Sequence, residues 1–429
     1  MRYHSIDNQL FIQNRKRFIE CIVPQSVAIF NANDIMPTNA DGTMKFKQNS
    51  DLFYLSGVDQ EETVLLLAPD ARDENHREVL FIRETSDLIA VWEGAKLTIE
   101  QARLVSGIQT VHWLKDMGNI MNTLVNECSH IYLNTNEHGR ATIKVETRDM
   151  RFLKWCKEQY PLHKYRRCAP VMQRIRAVKS KIEIALLQEA CDITEKGFRR
   201  LLKSVKPGVW EYELEADLIH EFTRNRASGF AYEPIIASGA NACVLHYIEN
   251  NAQCKKGDVL LLDIGAEYAN YDADLTRSIP VSGKYSKRQR EVYDAVLRVQ
   301  KSAIAMLRPG TFLKEYHKEV NLLMEAELVK LKLISKHDIE QQDPQRPAYR
   351  KYFMHGTSHF LGLDTHDVGN WDLPMEEGNV FTCEPGIYIR KEGIGIRIED
   401  DILITANGPV NLMKNIPKEA EEIEELMNS

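Results

Sequence analysis

Short apolar runs separated by polar, helix-compatible stretches mark the first part of the chain: Val27 to Phe30, Thr63 to Ala68, Val79 to Ile82 and Ile131 to Leu133. Runs of three to six such residues between turn formers read as strands, and their alternation with helical stretches predicts an α/β domain. Near Arg174 the texture changes. RAVKSKIEIALLQEACDITEKGFRRLL places apolar residues at positions 182, 186, 190, 193 and 201, a helical register. The domain boundary is placed just before it, giving domains 1–173 and 174–429.

Further helices are expected over Glu211–Arg224, Ser286–Met306 and Leu313–Leu333, with strand-like runs between them and no βαβ regularity. The second domain therefore reads as α+β with an antiparallel sheet. The acidic stretch Glu419–Glu425 reads as a solvated final helix rather than an interaction tail.

Composition narrows the class. A chain of 429 residues exceeds one ordinary core, and 27% charged with 43% hydrophobic residues is globular. A net charge of -7 argues against a nucleic-acid partner. The eight cysteines are scattered without a CxxC pair, so reduced thiols in a cytoplasm are expected rather than a disulfide framework or a zinc knuckle. The opening MRYHSIDNQLFIQNRKRF lacks the apolar core of a signal peptide, and no apolar run is long enough for a bilayer, so a cytoplasmic protein with no membrane partner is expected.

The chemistry concentrates in the second domain. GDVLLLDIG (Gly257–Gly265) and GNVFTCEPG (Gly378–Gly386) form a faint repeat in which an acid, Asp263 or Glu384, follows the first glycine by six positions. Each acid has a second downstream, Asp274 in YDADLTRS and Glu399 in GIRIEDD, so each segment reads as a hairpin offering one carboxylate per strand. An isolated Asp or Glu near a turn is usually a cap. Four on Val-, Leu- and Ile-rich strands require compensation, and with His359 they suit two divalent cations. The donor set is too acidic for a structural zinc, and its imidazole favours manganese, iron, cobalt or zinc over calcium. Two ions roughly 3.5–4 Å apart lower the pKa of a shared water, so the set reads as a two-metal hydrolase.

Neighbouring residues fill in the site. HGTSHFLGLDTHDVG (His355–Gly369) spaces His355 and His359 by four, but Gly356 and Gly362 argue for a loop, so only His359 is assigned to metal and His366 becomes a hydrogen-bond donor beside it. Period-two alternation puts Arg397, Glu399 and Asp401 on one strand face, with Arg397 compensating charge beside Glu399. His246 in SGANACVLHYIEN, taken alone, reads as a satisfied buried histidine.

SGANACVLHY, LLDIGAEYANYDADLTRSIPV, HGTSHFLGLDTHDVG, TCEPGIYI and GIRIEDD, with KQNSDLFYLSG at Lys47–Gly57, together resemble the pita-bread metallopeptidases in their aminopeptidase P branch, over nearly the whole chain. The resemblance implies a creatinase-like α/β N-terminal domain before an α+β pita-bread catalytic domain. It implies that Asp263 binds one ion, Asp274 and Glu399 bridge both, and His359 with Glu384 hold the other, with Mn2+ expected and Zn2+, Co2+ or Fe2+ as alternatives. His246 and His366 would flank the substrate and act in catalysis, with His355 also on the substrate; Glu384 would handle the proton of the attacking water, and Arg397 belongs to the catalytic set. Asp41 and Trp92 would approach the substrate, Trp92 from a neighbouring subunit, which implies a homo-oligomer, dimer or tetramer. The implied activity is release of the N-terminal residue from peptides with proline second.

Prolidase, which cuts only Xaa-Pro dipeptides, is the nearest alternative, and a non-catalytic peptide-binding module the alternative of another class. Retention of all five ligands opposes the module and a metal-free creatinase-like hydrolase; the long N-terminal domain opposes a methionine aminopeptidase. Cys383 and Thr357 stand where apolar residues are expected, and a thiol next to Glu384 suggests oxidation-sensitive activity.

Overall fold

The computed structural model describes residues 3–429 and divides into two compact units, Tyr3–Arg176 and Ala177–Ser429, apart from the first two residues. The helix Ala169–Ala177 runs through the position where the sequence places the boundary.

The first unit is built on a six-stranded sheet. Its central strand, Ser26–Asn31, pairs antiparallel with Val64–Leu67 and parallel with His130–Leu133. Glu78–Ile82, Thr110–Trp113 and Lys164–Arg167 complete it. The expected runs are all strands. Thr110–Trp113 and Lys164–Arg167 escaped the sequence reading because they are edge strands with polar or half-buried residues, so they lack an apolar run. Val27, Ile29, Leu66 and Phe81 pack with Leu124 and Val125 of the helix Met117–Glu127, forming the core on one sheet face.

In the second unit every described pairing is antiparallel. Long helices cover the sheets: Lys181–Ser204, Glu211–Arg224, Lys287–Met306 and Leu313–Lys330. Ser180 and Ser286 each start a helix with a capping box, which explains why those starts are legible in sequence. The final helix is Ala420–Met427.

Two bent hairpins carry the acids. Val259–Ile264 pairs with Leu275–Pro280, setting Asp263 opposite Thr276. In the other, Val380–Cys383 pairs with Asp400–Thr405 and Gly386–Ile389 with Ile394–Arg397, so the ladder is interrupted at Glu384–Pro385 and Ile398–Glu399. The interruption frees backbone donors for other segments: Glu384 N–H bonds Thr357 O at 2.9 Å and Glu399 N–H bonds Thr276 O at 3.0 Å. These bonds draw the histidine loop and the first hairpin onto the second.

Candidate metal centre

Asp274, His359 and Glu399 converge in the second unit: one ligand atom from each lies within 4.8 Å of the other two, and all three residues are buried. His359 Nε2 stands 3.5 Å from Asp274 Oδ2 and 3.7 Å from Glu384 Oε1. Its Nδ1 lies 3.0 Å from Phe360 O. A carbonyl only accepts, so Nδ1 carries a proton and Nε2 is the nitrogen that faces the carboxylates. Burial would lower the ring's pKa, but Asp274 and Glu384 hold it above the ordinary histidine value, and a cation ligated by Nε2 would take that proton's place. The segment His355–Gly369 has no helix, and a Cβ on Gly362 would lie 2.1 Å from Asp367 Oδ2.

Asp263 and Glu384 border this cluster. Asp263 Oδ1 accepts from Tyr232 Oη at 2.6 Å, and the same hydroxyl lies 2.7 Å from Asp274 Oδ1. Asp263 Oδ2 pairs with Arg397 Nη2. Arg397 thus compensates charge as expected, but its ion-pair partner is Asp263, not Glu399. The break after Arg397 removes the regular alternation that would hold the two side chains together, and hairpin packing brings Asp263 across instead. Arg397 also donates Nη1 to Tyr388 Oη at 2.8 Å and Nε to Thr276 Oγ1 at 3.0 Å. Thr276 in turn donates to Glu399 Oε2 at 2.6 Å.

The other histidines take distinct places. His366 is exposed, its ring edge-on to His359 with centroids 4.4 Å apart. His355 is half-buried, with Nε2 2.8 Å from Tyr388 Oη and Nδ1 3.6 Å from Glu384 Oε2. Burial and the nearby Arg397 charge push it down to about 3, so it is neutral at ordinary pH. His246 is exposed, contrary to the buried reading of that residue alone: it follows the short 3₁₀ turn Gly239–Cys243 rather than lying in a strand. Asp41 and Trp92 lie in the first unit, both exposed, Trp92 on the helix Asp87–Glu93.

Tyr232, Thr276, Tyr388 and Asp401 were not anticipated as partners of the ligands. Asp401 lies on the strand Asp400–Thr405 and its Oδ2 accepts the Asp274 N–H at 3.1 Å. These contacts join segments far apart in sequence, and a lone hydroxyl has no spacing signature. Thr276 alone had a usable signal, because antiparallel pairing sets it opposite Asp263.

Residues 185–406 match the model described as Metallopeptidase family M24, and residues 11–132 match Aminopeptidase P, N-terminal domain. The chain belongs to metallopeptidase family M24. The Xaa-Pro aminopeptidase of Escherichia coli (strain K12) is 36% identical over 439 residues, covering 99% of this chain and 98% of that protein. A glutamate-to-alanine variant of Escherichia coli aminopeptidase P in complex with substrate superimposes with a TM-score of 0.87 at 35% identity, covering 99% of both chains. Aminopeptidase PepP of Pseudomonas aeruginosa gives 0.89 at 31% identity, covering 99% of this chain and 98% of that one.

The residues of this M24 chain fit divalent cations. Burial and the charges of Asp274, Glu384 and Asp263 hold Glu399 well above the usual carboxylate range. Burial raises Asp263 too, against the opposing pull of Arg397, and pushes Glu384 up to about 7. Tyr232 has one hydroxyl proton for two carboxylate oxygens within hydrogen-bond reach. A buried acidic group so short of positive charge is the donor environment that hard or borderline cations neutralise.

Cys383 departs from the expected sensitivity. It is fully buried, with Sγ 3.5 Å from Tyr316 Oη and 3.9 Å from Gln300 O, and burial pushes its thiol far up. Strand alternation turns it away from its neighbour Glu384, so it lacks the exposed thiolate that oxidation requires.

Proposed function

We propose that this chain is an Xaa-Pro aminopeptidase that releases the first residue of peptides carrying proline second. The observation that carries the reading is the assembly of Asp263, Asp274, His359, Glu384 and Glu399 from two bent hairpins and one loop, in a chain whose full-length relatives are named for that activity.

Asp263, Asp274, His359, Glu384 and Glu399 would hold two divalent ions, manganese being the expected metal. When bound, such ions supply Lewis acidity and lower the pKa of an attacking water. The chain's own groups do the rest. Glu384 would take a proton from the attacking water and return it to the leaving imide nitrogen. Arg397 opposes the rise that burial imposes on the neighbouring carboxylates, and exposed His246 and His366 with His355 would bind and orient the substrate carbonyl.

Proline explains a dedicated site. Its ring removes an N–H and restricts the preceding residue, so a protease that grips extended backbone by hydrogen bonds handles this bond poorly. The family resemblance would add Asp41 and Trp92 as substrate-binding residues, Trp92 from a second subunit of a homo-oligomer, dimer or tetramer. A cytoplasmic setting agrees with eight free cysteines, and among the described residues no helix is long and apolar enough to cross a membrane.

Mass spectrometry of products tests the reading. Manganese-loaded and chelated protein meet an Xaa-Pro dipeptide, a longer Xaa-Pro peptide and a proline-free control. Metal-dependent release of one residue from the longer peptide is the expected result; cleavage of the dipeptide alone would establish a prolidase, and no cleavage with two ions bound would establish a binding module.

A further inference from the structure

The Tyr232 hydroxyl touches two of the proposed ligands at once, Asp263 Oδ1 at 2.6 Å and Asp274 Oδ1 at 2.7 Å. Asp263 lies on the strand Val259–Ile264 and Asp274 immediately before its antiparallel partner Leu275–Pro280, while Tyr232 lies outside them, between Gly229–Phe230 and Ile235–Ser238. Its position is built in. The next residue back, Ala231, donates its N–H to Gly265 O at 2.9 Å. A Cβ on Gly265 would stand 1.8 Å from Ala273 O and 3.0 Å from the Tyr232 ring. Only glycine at 265 lets the ring and the Asp274 strand close on the same point.

The geometry sorts the oxygens of each acid. Asp274 Oδ1 faces Tyr232, which turns Oδ2 toward His359 Nε2, 3.5 Å away. Asp263 is held from both sides, by Tyr232 on Oδ1 and Arg397 on Oδ2. Glu399 has a parallel holder in the Thr276 hydroxyl.

We infer that Tyr232 is a positioning residue of the metal centre, one that sets the orientation of Asp263 and Asp274 and so determines how tightly the site retains its cations. The inference rests on the reading of these acids as metal ligands. It assigns Tyr232 no contact with substrate. Groups that orient metal ligands typically change affinity 10–100-fold when removed.

Tyr232→Phe keeps the ring and deletes the hydroxyl. Binding of manganese(II) alone is measured by competition with a chromophoric chelator, beside the ligand variant Glu399→Gln and the thermal melt of each metal-free protein. The expected result for Tyr232→Phe is about a 10–100-fold loss of manganese affinity, with an unchanged metal-free melt and with kcat largely restored at saturating manganese. The cobalt(II) form should also show a shifted d–d absorption band, a change that a merely structural role would not produce. Unchanged affinity and an unchanged cobalt spectrum in Tyr232→Phe, with Glu399→Gln impaired, overturn the inference and leave the metal reading standing. Failure of the parent protein to bind manganese overturns both.

Discussion

Arg277 and Asp400 meet as an ion pair with neither side chain exposed, Nη2 standing 2.6 Å from Oδ1. Each directly follows a residue of the metal centre, Thr276 or Glu399, and strand alternation turns it to the opposite side. Asp400 Oδ2 also accepts from Lys418 Nζ and Gln300 Nε2 at 2.7 Å and from Asn411 Nδ2 at 2.8 Å. Arg277 Nη1 reaches the carbonyls of Thr276 and Glu399 at 2.9 and 2.6 Å. One arginine therefore ties the two hairpins together directly behind the ligands.

Breaking this pair leaves the fully buried Asp400 carboxylate with half-buried Lys418 as its remaining cation and strips the hydrogen bonds that Arg277 makes to Thr276 and Glu399. Arg277→Met should destabilise the protein by about 3–5 kcal/mol, read from urea unfolding of the metal-free form. Arg277→Met with Asp400→Leu should recover part of the loss. A cost for the single variant under about 1 kcal/mol, the range of an exposed pair, would contradict the assignment.

Acid should act through the same pair. Burial alone would raise Asp400, but Arg277 and Lys418 outweigh it and hold the carboxyl below its ordinary value. A depressed folded pKa adds stability that is present above the unfolded value of about 3.9 and lost as pH falls through the folded one. Asp400→Asn should accordingly flatten the acid limb of a stability–pH curve below about pH 4. An unaltered limb would count against the assignment.

Glu384 should show the opposite sign in the metal-free protein. Its folded pKa of about 7 lies above the unfolded value, so metal-free stability falls as pH rises through that window. Cations reverse the trend, because they bind the ionised form. Thermal melts from pH 5 to 8, with and without manganese, should diverge as pH rises; parallel curves would refute this coupling.

Metal removal should itself lower the melting temperature. A ligand that binds only the folded state adds about 2.7 kcal/mol per site at one hundred times its Kd. Glu399→Gln removes one charge from the buried set and should weaken that gain. A melt indifferent to chelation would show that the cluster holds no ion.

Peroxide should not act through Cys383. Its thiol is buried and faces Tyr316 and Gln300, whereas Cys21 is exposed. Cys383→Val and the parent should lose activity at equal rates, with adduct mass first appearing at exposed thiols. Selective protection of the valine variant would contradict the burial argument.

Much of this fold was legible because its signals are local. Apolar runs such as Val79–Ile82 and capped helices such as Lys181–Ser204 carry their patterns within one segment. The edge strand Lys164–Arg167 has no such pattern and was missed. The acids were legible for a related reason: two similar glycine-bounded segments place Asp263 and Glu384 alike. Partners were not. The pairing of Arg397 with Asp263 depends on a break in the second hairpin that period-two counting could not anticipate.

The sequence by itself determined the secondary structure of the long elements, the two-part organisation and the chemical kind of the site, since these depend on residue type and local periodicity. Only the tertiary structure decided which oxygen each acid turns inward, that Tyr232 spans Asp263 and Asp274, that His246 is exposed, and that Cys383 faces away from Glu384. Those facts depend on side-chain direction and on contacts between distant segments, which exist only once hydrophobic burial has brought the hairpins, helices and histidine loop together.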